Sequence, residues 1–205
     1  TVFDKVYKNS FLGTFVLAKM IYYHNKKNTW NTKVNRFIAL TNFSKSKFIQ
    51  AGFDSRKISV KPNFVFDIKK TNVKRNRFAL YVGRLSHEKG IEFLVEAWKN
   101  VNYSLKIAGD GPLDYLFNKK RKNIEYLGRK SSNEIKNLMN EASFLIIPSI
   151  CYEGFPMVIA EAFSAGLPVL GSKIGSIGEV INDKFTGLHF MPDNKQDLVN
   201  KVNLA

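Results

Sequence analysis

Residues 144–172 read FLIIPSICYEGFPMVIAEAFSAGLPVLGS and contain two short apolar runs with a longer apolar segment between them. The runs FLIIPS and PVLGS are typical of buried strands, and FPMVIAEAFSAG is long enough for a helix that ends at its glycine. In a strand–helix–strand unit the two strands lie parallel and the crossover between them is right-handed. This stretch therefore predicts a parallel sheet covered by helices.

The same alternation of strands and helices extends from about residue 77 to the end of the chain. Further strands are predicted at FALYVG (78–83), SLKIAG (104–109), IEYLG (124–128) and GLHF (187–190). Further helices are predicted at IEFLVEAWKNV (91–101), LDYLFNKKR (113–121), SNEIKNLMNEA (132–142) and SIGEVIN (176–182). Ser131 and Ser176 each begin an S-x-x-E capping box, which supports two of these helix starts. The pattern predicts a doubly wound, Rossmann-like α/β domain over residues 77–205.

The first 76 residues follow a less regular pattern. Residues 3–27 predict one amphipathic helix, whose apolar face we interpret as a core stripe. That face consists of Phe3, Tyr7, Phe11, Phe15, Ala18 and Tyr22. Strands are predicted at VNRFIALT (34–41) and KISVKP (57–62), with a helix at SKSKFIQAG (44–52) that Gly52 ends. The polar stretch DIKKTNVKRN, residues 67–76, is predicted to be a linker, so that residues 1–66 form a separate part of the chain.

The charge is strongly basic and unevenly distributed. The net charge is +15 over 205 residues, and residues 1–66 hold 12 lysines and arginines against two aspartates. A basic half suggests an anionic partner such as membrane lipid, nucleic acid or a phosphorylated acceptor, and a solvated lysine-rich surface is the alternative. Single-stranded nucleic-acid sites place aromatic residues among the basic ones. Here the aromatic residues recur at helical spacing, which makes nucleic acid the less favoured partner.

Several kinds of site are excluded by what the sequence lacks. Cys151 is the single cysteine, which rules out a disulfide framework and favours a reducing compartment such as the cytoplasm. There is no G-x-G-x-x-G, no P-loop and no G-x-S-x-G, so dinucleotide oxidoreductases, P-loop NTPases and α/β-hydrolases are disfavoured. No D-x-D pair occurs, and the three histidines lack metal-ligand spacing, so we expect neither a metal nor another cofactor. The longest apolar run, residues 11–23, is too short to span a bilayer.

Two unusual charged segments follow the first and fourth predicted strands of the domain. In a doubly wound sheet with strand order 3-2-1-4-5-6, ligands bind beyond the carboxyl ends of these two strands. GRLSHEKG follows the first strand and carries Arg84 and Lys89, whereas PSICYEGFP follows the fourth and carries Glu153. We therefore expect both segments to meet at one cleft.

The residue types in this cleft suit a diphosphate. Pro156 is predicted in the first turn of the helix, where the free N–H groups of Met157 and Val158 can bind an anion. Arg84 can donate two hydrogen bonds to phosphate oxygens, and Lys89 adds a point charge.

Two carboxylates in the same segment need partners. Glu161, a lone carboxylate in an apolar helix, is suited to accept hydrogen bonds from ribose hydroxyls. Glu153 has structural alternatives: it can complement the helix dipole, or it can pair with Arg84 across the cleft.

These segments resemble those of the retaining GT-B glycosyltransferases known as group 1, or family 4. GRLSHEKG is similar to the family's diphosphate-binding segment, and EGFPMVIAE is similar to its E-x7-E motif. The resemblance runs from about residue 38 to residue 190. It implies that residues 1–66 are the end of the N-terminal acceptor domain, that residues 67–76 are the hinge, and that residues 77–205 bind a nucleotide sugar.

The resemblance also implies a role for each matching residue. Arg84 and Lys89 would hold the donor diphosphate, Glu153 would contact the donor sugar, and these three would be the catalytic residues. Glu161 would bind the ribose. The remaining donor-binding residues would be Gly83, Gly109, Gly128, Arg129, Lys130, Gly154, Phe155, Pro156, Met157 and Val158. Four of these, Gly109, Gly128, Arg129 and Lys130, would border the base. Sugar transfer would proceed with retention and without a metal.

The expected function is therefore transfer of a sugar from a nucleotide-sugar donor to a glycan or lipid-linked acceptor, on the cytoplasmic face of a membrane. UDP is favoured as the nucleotide, and GDP is the alternative. Because most of the acceptor domain and its usual active-site histidine have no counterpart here, we expect the isolated chain to be inactive. A nucleotide-sugar binding module without catalysis is the alternative function, and a charge-driven nucleic-acid binder is the third hypothesis.

Overall fold

The computed structural model describes residues 7, 9–66 and 75–204. These residues form two compact units. The first unit contains the described residues up to 39 together with 45–61, and the second contains 40–44 together with those from 62 onward. The predicted linker lies outside the described residues, except for Arg75 and Asn76.

The first unit contains a small parallel sheet and helices. Its strands are β1, Phe37–Ala39, and β2, Ile58–Val60, which pair in parallel. The α-helices described up to residue 61 are α1, Phe11–Lys26, α2, Thr29–Lys33, and α3, Asn42–Gln50, of which residues 42–44 belong to the second unit. Gly52 follows α3 with a φ of +88°, as expected for a glycine that ends a helix.

The predicted core stripe of the first helix was wrong. Tyr22 is 67% exposed, Phe11 and Phe15 are nearly half exposed, and Thr14 is the buried residue of α1. Phe3 lies outside the described residues. The physical reason is that apolar residues surround the whole helix, since positions 12, 16, 20 and 21 are also exposed and apolar. A helix without a single apolar face has no preferred side to bury.

The second unit is a six-stranded parallel sheet with the order β5-β4-β3-β6-β7-β8. Its strands are β3, Phe78–Val82; β4, Ser104–Ala108; β5, Ile124–Gly128; β6, Phe144–Ile147; β7, Val169–Ser172; and β8, Gly187–Phe190. Numbered within this domain, the order is the expected 3-2-1-4-5-6. The first and fourth strands are neighbours, with Ala79 opposite Phe144 and Leu80 opposite Leu145. The doubly wound prediction is confirmed.

Helices cover both faces of this sheet. They are α4, Ile91–Ala97; α5, Ser132–Glu141; α6, Met157–Ser164; α7, Gly175–Val180; and α8, Lys195–Val202. One buried cluster joins the sheet to α4 and α8 and includes Leu94, Ile107 and Leu198. The other joins it to α5, α6 and α7 and includes Met139 and Ile159. No helix in the described part of the chain is both long and apolar enough to cross a bilayer.

The segment LDYLFNKKR does not form the predicted α-helix. It contains only a 3-10 turn over Asp114–Phe117, and Arg121 then forms a bridge with Ile124. Four consecutive cations at 119–122 follow this turn, and one pair of them, Lys119 and Lys122, would bring like charges together on a helix. The short apolar part still packs against the core through Leu116 and Phe117.

One of the two predicted capping boxes is confirmed and the other is wrong. Ser131 and Glu134 form a complete capping box at the start of α5. In contrast, α7 begins before Ser176, whose buried hydroxyl lies 2.9 Å from that of Thr41. Glu179 does not reach back along its own helix. Its carboxylate instead accepts hydrogen bonds from Asn42 and from the backbone of residue 43.

Candidate functional site

The loops after β3 and β6 meet directly at the carboxyl end of the sheet. The backbone N–H of Ile150 donates to the carbonyl of Glu88 over 3.1 Å. Gly90 has a φ of +71°, and a Cβ at that position would lie 1.9 Å from the carbonyl oxygen of Pro148. Only glycine allows this approach without a shift of the backbone. The two charged segments therefore converge, as the predicted sheet order requires.

Lys89 and Glu153 form an ion pair across this junction. The Lys89 Nζ lies 2.7 Å from Glu153 Oε2, and the side chains are 32% and 13% exposed. The other carboxylate oxygen, Oε1, accepts a hydrogen bond from the Ser149 hydroxyl. The alternative in which Glu153 pairs with Arg84 does not describe this arrangement, because Lys89 contacts one carboxylate oxygen and Ser149 contacts the other.

Tyr81 fixes the backbone of the loop that follows β3. Its buried hydroxyl donates to the carbonyl oxygen of Arg84 over 2.8 Å. Burial raises the pKa of Tyr81 far above its ordinary value, and the negative charges of Glu153 and Glu88 add to this effect. The hydroxyl therefore stays neutral and fixes the backbone of the loop, while the Arg84 side chain is exposed at the cleft.

The start of α6, four residues after Glu153 in the chain, has free N–H donors. The helix begins at Met157, so Pro156 is the N-cap residue and not part of the first turn as predicted. The N–H of Ile159 donates to the Pro156 carbonyl over 3.1 Å. Within the described residues, the N–H groups of Met157 and Val158 have no acceptor. Such groups at a helix N-terminus favour an anion.

A first cavity of about 660 Å³ opens at the carboxyl ends of β3 and β4. Five residues predicted to bind the donor line it, namely Gly83, Arg84, Gly109, Arg129 and Lys130. Gly128 is not among the lining residues, but its carbonyl accepts from the Gly109 N–H over 2.9 Å. Gly109 also lies against Gly83. The three predicted glycines, Gly83, Gly109 and Gly128, are therefore neighbours through their backbones.

Gly109 determines how closely the loops after β3 and β4 approach. Its φ is +148°, and a Cβ there would lie 1.9 Å from the carbonyl oxygen of Gly83. Any side chain at this position would push the two loops apart.

A second cavity of about 480 Å³ contains Glu161. Its wall also includes Met157, and Lys130 lines both cavities. Glu161 is half-buried, and its carboxylate has no hydrogen-bond or ion-pair partner among the described residues. That a lone carboxylate here needs a partner stays a prediction, and the cavity that its residue lines is where such a partner could bind. Lys89 and Glu153 line neither cavity.

The structure adds residues that sequence reasoning missed. Ser149 and Tyr81 contact the predicted residues directly. Asp110 and Asp114 line the first cavity, and residues 64–66 line the second. Ser149 is the last residue of the predicted strand FLIIPS, and Asp110 directly follows the predicted strand SLKIAG, so that both stand at the ligand end of the sheet. Nothing local in the sequence indicates Tyr81, because it reads as an ordinary strand residue.

Within the described residues, no group of three or more His, Cys, Asp or Glu side chains is arranged to hold a metal ion. Two acidic residues near the cleft are paired with basic side chains. Asp110 lies 3.7 Å from Arg129, and Glu134 lies 3.2 Å from Lys130. Hydrogen bonds from the Ser131 backbone and hydroxyl, and then from Lys130, lower the pKa of Glu134 to about 2.

Related protein sequences cover this region. An uncharacterized glycosyltransferase of Methanocaldococcus jannaschii is 35% identical over 130 residues, which are 61% of this chain and 37% of that protein. A lipopolysaccharide 1,2-N-acetylglucosaminetransferase of Salmonella typhimurium is 30% identical over 199 residues, 78% of this chain and 51% of that protein. The chain thus spans between about a third and about half of the length of these relatives.

Solved structures share the fold. Anabaena HepE, solved in complex with UDP-glucose, matches with a TM-score of 0.74 at 25% identity, covering 86% of this chain and 55% of that chain. A glycosyltransferase of Rickettsia africae gives a TM-score of 0.74 at 24% identity, covering 87% and 55%. The fold of the second unit is that of a GT-B glycosyltransferase domain. The model of the family described as glycosyl transferases group 1 matches residues 64–205, and the chain therefore belongs to that family.

Proposed function

We propose that residues 77–205 bind the nucleotide-sugar donor of a retaining, family 4 glycosyltransferase that needs no metal. The observation that supports this most strongly is the 2.7 Å contact between Lys89 and Glu153 at the junction of the two loops. It brings a cation and a carboxylate together, and the free N–H groups of α6 follow the carboxylate four and five residues later in the chain. A sugar diphosphate requires these two kinds of group, because its phosphates are anionic and its hydroxyls are hydrogen-bond donors.

The diphosphate would bind between the two loops. Arg84 is exposed at the cleft and would donate to phosphate oxygens, while Lys89 and the N–H groups of Met157 and Val158 would complete the site. The same positive groups would stabilise the negative charge that develops on the leaving diphosphate during transfer. In this proposal fixed protein cations supply the charge that a metal supplies in other enzymes.

The sugar and the nucleoside would lie on opposite sides of the diphosphate. Glu153 and the backbone of residues 154–156 would contact the sugar. Glu161 would accept hydrogen bonds from the ribose within the second cavity. The base would lie near Lys130, which lines both cavities, and near Arg129.

The donor and acceptor classes rest on similarity. UDP is favoured over GDP because HepE, a structural neighbour at 25% identity, was solved in complex with UDP-glucose. A glycan or lipid-linked acceptor of cell-envelope or polysaccharide synthesis is favoured because the Salmonella relative is a lipopolysaccharide N-acetylglucosaminetransferase. Catalysis by the whole protein is part of this proposal.

A thermal-shift panel tests the donor assignment directly on the chain. The panel contains UDP, GDP, uridine, UDP-glucose, GDP-mannose and a random oligonucleotide. We expect stabilisation by a nucleoside diphosphate and its sugar, and little by uridine, because binding to the native state raises the melting temperature by mass action. Stabilisation by the oligonucleotide alone would support the nucleic-acid hypothesis and contradict the proposal.

We also propose that the first unit contacts an anionic membrane surface on the cytoplasmic side. Helix α1 exposes Leu12, Val16 and Tyr22 together with Lys19 and Lys26. Apolar and basic residues on one exposed helix favour the interface of an anionic bilayer. Vesicles with phosphatidylglycerol should bind the chain, and binding should weaken as salt rises. Equal binding to pure phosphatidylcholine vesicles would contradict an electrostatic interaction.

A further inference from the structure

We infer that Ser149 is a positioning residue that orients Glu153 toward the donor sugar, an inference that rests on the proposed function. The Ser149 hydroxyl lies 2.5 Å from Glu153 Oε1, while Lys89 contacts Oε2. Each carboxylate oxygen therefore has its own donor. A carboxylate held at both oxygens cannot rotate freely about its last side-chain bond.

Ser149 is itself fixed by the sheet. It is buried and comes two residues after the end of β6. The hydroxyl of Ser172, the last residue of β7, donates to the Ser149 carbonyl oxygen over 2.7 Å. Glu153, in contrast, lies in the irregular segment before α6. The hydrogen bond thus connects a loop carboxylate to the rigid end of two neighbouring strands, which is how supporting residues orient a functional group.

Donor binding would increase the importance of this contact. In the proposed complex, the phosphates attract the ammonium of Lys89 and compete with Glu153 for it. Ser149 is then the remaining described donor that holds the carboxylate in place. The nucleoside diphosphate alone does not need an oriented Glu153, but the sugar does. Ser149 should therefore affect recognition of the sugar much more than recognition of the diphosphate.

A double-mutant cycle tests this role. Calorimetry measures UDP against UDP-glucose, and GDP against GDP-mannose, for the unmodified chain, Ser149→Ala, Glu153→Gln and the double variant. We expect Ser149→Ala to weaken binding of the nucleotide sugar about 10-fold, and that of the diphosphate less than about 2-fold, as for loss of a hydrogen bond to a charged group. In the Glu153→Gln background, Ser149→Ala should not change the ratio of the two affinities further.

Ser172→Ala is the matched structural control. It removes a buried hydroxyl that donates to the same serine but does not touch the carboxylate. It should lower the melting temperature and change the ratio of the two affinities much less than Ser149→Ala does, because the hydrogen bond to Glu153 is kept. If Ser149→Ala weakens both ligands equally, or still changes their ratio when residue 153 is glutamine, the inference is overturned and the proposed function stands. If the unmodified chain binds neither pair of ligands, the proposed function fails and the inference fails with it.

Discussion

The ammonium of Lys89 lies 2.7 Å from a carboxylate oxygen of Glu153, although 64 positions separate the two residues in the chain. The contact joins the loop after β3 to the loop after β6, at the point where the strand order reverses. A lysine ammonium is a mobile point charge, and a bound phosphate would compete with this carboxylate for it. The same residue therefore connects the stability of the junction to the proposed binding of the diphosphate.

The first prediction concerns Lys89→Ala. Binding of UDP should weaken by about 2–5 kcal/mol, because a charged contact desolvated in the complex is lost. Binding of uridine should change much less. Glu153 is 13% exposed and would lose its cation, so the free energy of unfolding should also fall, by about 1–3 kcal/mol. Calorimetry and urea denaturation measure the two effects.

Lys99→Ala is the matched control for this variant. Lys99 also lies 2.7 Å from a glutamate, Glu96, but both side chains are about half exposed. Its loss should cost little stability, because the pair is exposed to solvent, and should not change nucleotide binding. Equal effects of the two variants on UDP affinity would show that Lys89 acts only through the net charge.

The second prediction concerns Arg84→Ala. Arg84 is exposed and lines the first cavity, and in the described part of the chain it forms no ion pair. Its removal should leave the melting temperature nearly unchanged and weaken UDP binding about 10-fold or more, since charged hydrogen bonds to phosphate are lost. A comparable loss of uridine affinity would show instead that Arg84 shapes the cavity.

The third prediction concerns Glu161→Gln. The variant keeps the helix and removes the charge from the wall of the second cavity. If the carboxylate binds ribose hydroxyls, affinity should fall roughly 10- to 150-fold, and equally for UDP and uridine, which share the ribose. Glu125→Gln, an exposed carboxylate that lines neither cavity, should change neither affinity. Unchanged binding by Glu161→Gln would remove the ribose assignment.

The fourth prediction compares two glycines with positive φ. In Gly109→Ala the new Cβ would lie 1.9 Å from the Gly83 carbonyl oxygen, whereas in Gly128→Ala nothing lies within 4 Å. Gly128→Ala should cost about 1–2 kcal/mol for its left-handed backbone alone. Gly109→Ala should cost clearly more, and should also weaken UDP binding by moving the two loops apart. Similar unfolding free energies for both variants would show that the loops can separate without loss.

The fifth prediction concerns acid stability and Glu179. Burial alone would raise the pKa of this carboxylate, but hydrogen bonds from the backbone of Asn42 and Phe43 and from the Asn42 amide lower it below its ordinary 4.5. A carboxylate whose pKa is lower in the folded state than in the unfolded state stabilises the fold at pH values above its unfolded-state pKa. This stability is lost as the pH falls through its folded-state pKa. Glu179→Gln should therefore be less stable than the unmodified chain at neutral pH, with a smaller further loss on acidification. Urea denaturation from about pH 7 to about pH 3 measures this, and parallel curves for the two proteins would contradict it.

Elements whose signals are local were predicted well. Strand β5 was expected at 124–128 and is found there, and the capping box at Ser131 forms as written. The alternation of strands and helices also predicted the doubly wound sheet, and the common strand order of such sheets, taken as an assumption, placed the Arg84 and Glu153 loops together. The strands and the cap depend on hydrogen-bond geometry and apolar periodicity within about ten residues, so that a short window of sequence contains the information.

The hydrogen-bond and ion-pair partners that come from distant segments of the chain could be identified only from the tertiary structure. Ser176 and Glu179 have the spacing of a capping box, yet Thr41 and Asn42 are their partners, because folding brings that segment close enough to compete. The carboxylate of Glu153 contacts Lys89 and Ser149, where the sequence alone had left Arg84 as an alternative. The residue types and their order along the chain determined the fold and the ligand end of the sheet. Only the packed structure decided which charged groups contact each other at that end. The reason is that an ion pair or hydrogen bond forms only within about 3–4 Å, and packing sets these distances.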